Sequence, residues 1–235
     1  MDGEDSLEIF EAMHVYTWGQ PMYTAFIDIL GFQAALDSAR DAQDLTFGLW
    51  RNCLPLRSTL SGGVGSDSAR KLNFVQMTDA LVIYGDDEAR VLDLVCNVFG
   101  SAVVWGVPIR GGIGYGIVNH AEDKGRPGTI VSFYGSGLID AYRTEQDGKG
   151  RGMRLLCSDE YLLRASHTQS RLIGGRLLEY PWWLRCGLHS ADFRERSRAW
   201  WKAKTVGKWF SGGQREDTKH VFERAVAELR VSEQV

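Results

Sequence analysis

Between Tyr23 and Ser158 the apolar segments change their periodicity in a fixed order, strand, helix, strand, strand, helix, strand, and that order leaves few ways to fold. Tyr23 to Leu30 reads as the first strand, entered after the Gly19-Gln20-Pro21 break. Gly31 and Phe32 open a long helical region that reaches roughly Leu60, with an interruption near Pro55. LNFVQM and ALVIYG are short β-rich runs with Thr78-Asp79 between them, a hairpin with an aspartate at its tip. A second helix covers about Asp87 to Trp105, and Pro108 opens the strand IRGGIGYGIV. The succession β-α-β-β-α-β is that of a ferredoxin-like α+β layout, an antiparallel sheet with helices on one face.

Further elements are appended. After a loop at NHAEDKGRPG come a strand at TIVSFYG, a helix at SGLIDAYRTEQ ended by the DGKGRG turn, a strand at MRLLCS, and a helix at DEYLLRA capped by Ser158. Glycines 111, 112, 114 and 116 weaken a strand, so their presence predicts close approach of another backbone or a ligand. Ser6 caps a short helix at LEIFEAM. SGGVGSDSARK, lacking the glycine-lysine pair of a phosphate loop, reads as a surface loop. Beyond Arg171 the signals weaken to a tryptophan-rich, charged region and a last amphipathic helix near Thr218 to Arg230, and the tryptophans are expected to pack these elements onto the core.

A chain of 235 residues with 44% hydrophobic content suits one domain with a sizeable core. Its 27 basic and 30 acidic residues, a formal net charge of -3, give no electrostatic reason to expect a nucleic-acid or membrane partner. No apolar run is long enough to span a bilayer, and the acidic start MDGEDSLEIFEAM is unlike a secretion signal, so a cytoplasmic protein is expected. Cys53, Cys96, Cys157 and Cys186 have no zinc-ligand spacing and read as reduced core residues.

Asp28 is the anomaly in this pattern. A carboxylate within an apolar strand is costly unless it lies at the strand end beside a cation or hydrogen-bond donors. In a ferredoxin-like sheet the strand carrying Asp28 and the hairpin carrying Asp79 are neighbours, so both carboxylates can face one point. Two adjacent carboxylates repel unless a hard cation lies between them, and Mg²⁺ commonly takes one or two carboxylates together with substrate phosphate oxygens. The plainer alternative is a solvated hairpin aspartate and an Asp28 that caps the following helix.

The motifs carry a resemblance. FIDILGF is similar to the F-x-D-I-x-G-F first-strand motif of class III nucleotidyl cyclases, QMTDALVIY occupies the place of their second-aspartate hairpin, PIRGGIGYG resembles their glycine-rich strand, and YGSGLIDAYRTE resembles their helix motif G-x-x-V-N-x-A-x-R-L-E. The resemblance implies that Asp28 and Asp79, with the Ile29 carbonyl, hold two Mg²⁺ or Mn²⁺ ions. It implies that the amides of Leu30, Gly31 and Phe32 cradle the triphosphate at a helix start, and that Arg143 meets the charge at the α-phosphoryl group. Arg143 also fits a plain surface position on an amphipathic helix. By the same resemblance, 23–175 is the catalytic core, 1–22 an N-terminal helical extension, and 176–235 C-terminal strands and helices packing on the core or at a dimer interface. Two positions depart from the pattern: Ile139 stands where the family has its ribose-orienting asparagine, and Thr78 where a glycine precedes the second aspartate.

The purine-reading positions of the family, lysine and aspartate for adenine or glutamate and cysteine for guanine, are Val75 and Ser132 here. Their joint replacement argues for a different base, since a site built to hydrogen-bond a purine leaves costly unpaired groups without it. The short chain with these motifs looks like the bacterial pyrimidine cyclases of the Pycsar antiphage systems. That likeness implies conversion of UTP or CTP to cyclic UMP or cyclic CMP, a homodimer with interfacial sites, and a separate effector that responds to the product. UTP is favoured on family frequency, and no residue chooses between the two. A degenerate cyclase fold that binds nucleotide without turnover is the alternative.

Overall fold

A computed structural model describes residues 19–32, 72–77, 79–126, 128–166, 171–173, 177–203 and 209–234, with side chains left aside at 120–132 and 171–177. The helix expected at Ser6, the helical region beyond Phe32, the loop at 61–71, Cys53 and Thr78 lie outside these residues.

The strands are β1 (Gln20–Ile29), β2 (Leu72–Gln76), β3 (Ala80–Gly85), β4 (Ile109–Arg126), β5 (Gly128–Tyr134), β6 (Leu155–Cys157), β7 (Arg171–Ile173) and β8 (Leu177–Glu179). The helices are α1 (Glu88–Trp105), α2 (Ser136–Asp147), α3 (Asp159–Leu162), α4 (Ser190–Lys202) and α5 (Gln214–Ser232), with a 3₁₀ turn at Trp182–Leu184. The sheet runs β2-β3-β1-β4-β6-β8-β7, and β5 pairs with β4 outside this path. Its first four strands are antiparallel neighbours in the ferredoxin-like order, with β1 between β3 and β4. None of the described helices is long and apolar enough to cross a membrane.

Alternation along β1 separates the two faces of the sheet. Ala25, Ile27 and Ile29 join Leu81, Ile83, Ile109 and Ile113 in the main core, covered by the Val91, Leu92, Val95, Phe99 and Ala102 stripe of α1. Asp87 caps α1 by accepting a hydrogen bond from the Arg90 amide at 3.3 Å, and Gly106 closes it in the left-handed conformation. On the other face Phe26 packs with Val82, Tyr84, Val118, Val75 and Phe133. β1 is therefore not apolar-buried on both sides: Asp28 falls on the face of Phe26, away from α1.

The second face carries α2, so the expected confinement of helices to one face fails at α2, while α1 lies on the other face. The reason is the glycine strand. A Cβ at Gly112 would lie 2.3 Å from the Ala141 carbonyl oxygen, one at Gly114 2.5 Å from the Ala141 amide, and one at Gly116 2.7 Å from the Gly137 amide. The stripe of bare backbone predicted from sequence is thus the bed of a helix.

Two further expectations are corrected. NHAEDKGRPG is not an open loop: β4 continues to Arg126 and pairs back with β5 from Asn119 opposite Tyr134 to Arg126 opposite Gly128, with a bulge near Asp123. A polar two-stranded ribbon is held by its ladder of backbone hydrogen bonds and shows little apolar alternation in sequence. The segment carrying Trp200 and Trp201, unassigned from sequence, forms α4.

The C-terminal elements share the main core. Trp182, Trp183, Phe193, Trp200, Trp209 and Phe222 are all buried in the cluster that contains Ile27 and Phe99, and Trp200 Nε1 donates to the Val103 carbonyl at 2.8 Å. β8 joins the sheet through β6. Arg154 ties this layer together, donating to Asp217 through Nε at 2.6 Å and to Glu179 through Nη1 at 3.0 Å. Cys96, Cys157 and Cys186 are buried and unpaired, and burial pushes the Cys186 thiol up to about 11.

Candidate active site

Asp28 and Asp79 come together at one end of the sheet because β1 and β3 are antiparallel neighbours. Asp28 stands opposite Ala80, and the Ile29 amide donates to the Asp79 carbonyl at 3.1 Å, extending the ladder to the hairpin tip. Asp79 contributes to raising the Asp28 pKa, so the two carboxylates are within electrostatic reach.

The environment of Asp28 is unfavourable to its charge. Burial, with Glu145 and Asp79 nearby, pushes its carboxyl up to about 7, against the opposing pull of Arg110 and a hydrogen bond from the Ile29 amide. Such a pair of carboxylates suits a divalent cation, whose charge removes the repulsion, and the donor set of two carboxylates is the one Mg²⁺ takes when phosphate and water complete its shell. Among the described residues no cluster of three or more His, Cys, Asp or Glu offers an alternative metal site.

Beside Asp28 lie Arg110, which sequence reasoning passed over, and Glu145, which it met only as the last match of the helix motif. Arg110, opposite Asp28 on β4, donates through Nε to Glu145 Oε1 at 2.6 Å and through Nη1 to the Gly148 carbonyl at 3.2 Å. Arg110 and Glu145 are 4% and 0% exposed, a fully desolvated pair joining β4 to α2. The available signal was a lone arginine, Arg110, at the head of a strand of otherwise uncharged residues, IRGGIGYGIV.

The turn after β1 carries the candidate phosphate donors. Leu30 does not qualify: its amide donates to the Pro108 carbonyl at 2.9 Å, which narrows the expected cradle to Gly31 and Phe32. Gly31 and Phe32 follow at once in the same turn, at the end of β1 that carries Asp28. Gly31 has φ +67, a conformation that glycine adopts without strain.

Arg143 is not among the residues that act most strongly on Asp28. It lies on the exposed side of α2, and the charges that act on Asp28 are Glu145, Asp79 and Arg110. Ile139, one helical turn before Arg143 on the same face, is 49% exposed, whereas the Tyr142 ring turns to β1 and meets Phe26 edge-on at 5.2 Å. Asp140, adjacent to Ile139, points to the framework instead: its Oδ2 accepts from the Tyr115 amide at 3.1 Å and from Ser158 Oγ at 2.5 Å. Val75 packs on the α2 side of the sheet in the cluster with Val82 and Phe133, and Ser132 stands on β5 opposite Ala121.

The sequence matches no family model and none of the curated proteins. Solved structures do resemble it. A bacterial light-regulated adenylyl cyclase superposes with a TM-score of 0.51 at 10% identity over 71% of this chain and 52% of its own. The guanylyl cyclase Cya2 gives 0.49 at 11% identity over 69% of this chain and 93% of its own, and the adenylyl cyclase CyaB from P. aeruginosa 0.45 at 15% over 68% and 91%. The α+β architecture is that of the class III cyclase fold.

Proposed function

We propose that this protein is a nucleotidyl cyclase, and more narrowly that it converts a pyrimidine nucleoside triphosphate, UTP in preference to CTP, into its 3′,5′-cyclic monophosphate and pyrophosphate. The observation that carries the reading is the convergence of Asp28, Asp79 and the Gly31-Phe32 turn at one end of β1. Asp28, Asp79 and the Ile29 carbonyl would hold Mg²⁺ or Mn²⁺, which supplies Lewis-acid activation of the ribose hydroxyl and charge neutralisation at the leaving pyrophosphate. The Gly31 and Phe32 amides bind the β- and γ-phosphates and orient the α-phosphorus toward the 3′-hydroxyl, an arrangement that lowers the entropic part of the barrier.

Arg143 would neutralise the charge at the α-phosphoryl oxygens, and in a homodimer it would do so from the partner chain. Its place on the exposed face of α2, one turn after exposed Ile139, supports that geometry, because an arginine beside an exposed apolar side chain suits an interface. The pyrimidine preference rests on Val75 and Ser132 in place of a purine-reading pair. The neighbouring solved structures are of adenylyl and guanylyl cyclases, purine enzymes, and the base preference is drawn from these two positions alone. A cytoplasmic enzyme whose cyclic product signals phage infection to a separate effector completes the reading.

Incubation with each of the four nucleoside triphosphates and Mg²⁺ or Mn²⁺, followed by mass spectrometry, tests it. Cyclic UMP or cyclic CMP as the main product supports the full reading, whereas a purine product removes the pyrimidine part only. Ile139 in place of a ribose-orienting asparagine favours a second reading, a nucleotide-binding module without turnover. Binding of a triphosphate with no cyclic product from any of the four would establish that one.

A further inference from the structure

The C-terminal layer reaches the candidate phosphate turn at one point. A Cβ on Gly31 would lie 2.1 Å from the Trp209 carbonyl oxygen, 2.7 Å from its carbonyl carbon and 3.0 Å from its Cα, so the Trp209 backbone lies directly against the turn. Trp209 is 3% exposed and shares the main core with Ile29 and Phe32, which flank the same turn. The chain following Trp209 is itself held. Ser211 donates to Gln214 Oε1 through its amide at 2.9 Å and its hydroxyl at 3.0 Å. Asp217 accepts from the Gly152 amide at 2.8 Å, and Thr218 Oγ1 from the Met153 amide at 3.0 Å.

We infer that Trp209 is a positioning residue for the phosphate turn, and that the C-terminal segment is a working part of the active site. The inference rests on the proposed triphosphate role of Gly31 and Phe32. Backbone donors bind an anion well only if they are already held in place, since any ordering on binding is deducted from affinity. The turn has two backstops, one on each side: the Leu30 amide is tied to the Pro108 carbonyl, and the Trp209 backbone closes off the Gly31 side. Without the second, the left-handed Gly31 is free to move away from its present conformation.

The test compares Trp209→Phe, which keeps an aromatic anchor, with Trp209→Ala. Gln214→Ala serves as a second variant that releases the Ser211 contacts while leaving the Trp209 side chain in the core. Amide hydrogen exchange at Leu30 reports the turn, and exchange at Ile27, in mid-strand, reports global opening. The expected result for Trp209→Ala is Leu30 exchange accelerated about tenfold or more with Ile27 unchanged, and KM for the triphosphate raised about tenfold with a smaller change in kcat. Trp209→Phe should restore both. If Trp209→Ala does not fold, Gln214→Ala should show the same pattern more weakly.

Unchanged Leu30 exchange and unchanged KM in the folded variant would overturn the inference, as would parallel acceleration at Leu30 and Ile27, which marks a purely global role. Selective Leu30 acceleration in a protein that binds no triphosphate would instead remove the nucleotide reading, leaving the mechanical coupling of Trp209 to the turn in place.

Discussion

Arg110, the cross-strand partner of Asp28, and Glu145 form a fully buried ion pair that crosses from β4 to α2. The pair does two things at once. It anchors α2 two residues from Arg143, and it sets charges of both signs next to the candidate metal ligand, since Glu145 raises and Arg110 lowers the Asp28 pKa. Removing one member of such a pair leaves the other buried and unpaired. Glu145→Gln should therefore lower stability by about 3 kcal/mol, and Arg110→Met by a similar amount. Urea unfolding monitored by circular dichroism measures both, and a change within experimental error would show that the pair is dispensable to the fold.

Asp28 should make the metal-free protein less stable as pH rises. Its folded pKa of about 7 lies above the ordinary value of 3.8, so between these values the unfolded chain gives up its proton first and the folded state loses stability. The loss is complete above about pH 7 and amounts to a few kcal/mol at most. Asp28→Asn should remove it: in chelator at pH 8 the variant should unfold at higher urea concentration than the wild type, while at pH 4 the two should coincide. Added Mg²⁺ should stabilise the wild type alone. A wild type as stable as Asp28→Asn at pH 8 would show that the Asp28 charge is not strained.

The glycine bed of α2 leaves no room for side chains. Gly112→Ala places a methyl group 2.3 Å from the Ala141 carbonyl oxygen and 2.5 Å from the Glu145 amide, and backbone atoms cannot step aside. Overpacking of this kind costs about 1–3 kcal/mol, with α2 displaced from the sheet. Gly213→Ala, where nothing lies within 4 Å, is the control and should stay within about 0.5 kcal/mol of the parent. Thermal denaturation separates the two, and any cyclase activity should fall in Gly112→Ala only.

Asp217 should link stability to acid. Burial opposes its ionisation, but the Arg154 guanidinium and the Gly152 amide outweigh that and hold its carboxyl below the usual range. A depressed folded pKa means stability that is present above the unfolded value and is lost as pH falls through the folded one. Asp217→Asn should thus be less stable than the parent at pH 7, by about 2 kcal/mol given charge-assisted bonds at this site, and the gap should narrow as pH drops below about 4. A gap independent of pH would assign the effect to packing.

Mixing a metal-site variant with an arginine variant addresses the proposed shared site. Asp28→Ala and Arg143→Ala chains, each inactive alone, should regain about one quarter of the activity when their subunits exchange, because a mixed dimer keeps one intact site. No recovery after confirmed exchange would count against an arginine acting from the partner chain.

Local signals carried most of the core. The order of strands and helices from β1 to α2, the Asp87 and Ser158 caps, and the hairpin tip at Asp79 all depend on residues close in sequence, so propensity and periodicity reveal them. The pairing of Asp28 with Asp79 was also legible, because a β-α-β-β-α-β order dictates which strands are neighbours. Side-chain and backbone accounting was not. That the Leu30 amide is taken by Pro108, that Arg110 is matched by Glu145, and that Gly31 abuts Trp209 are long-range relationships between residues whose local sequence says nothing of their partners. The strand at TIVSFYG was legible, but the continuation of β4 through NHAEDKGR to pair with it escaped, because backbone pairing needs no apolar pattern. By itself the sequence determined the two carboxylates, the glycine-bare strand and the order of elements around them. Only tertiary structure decided that the Leu30 amide is taken by Pro108 and which face of the sheet Asp28 occupies, since both depend on what packs against the strand end from far along the chain.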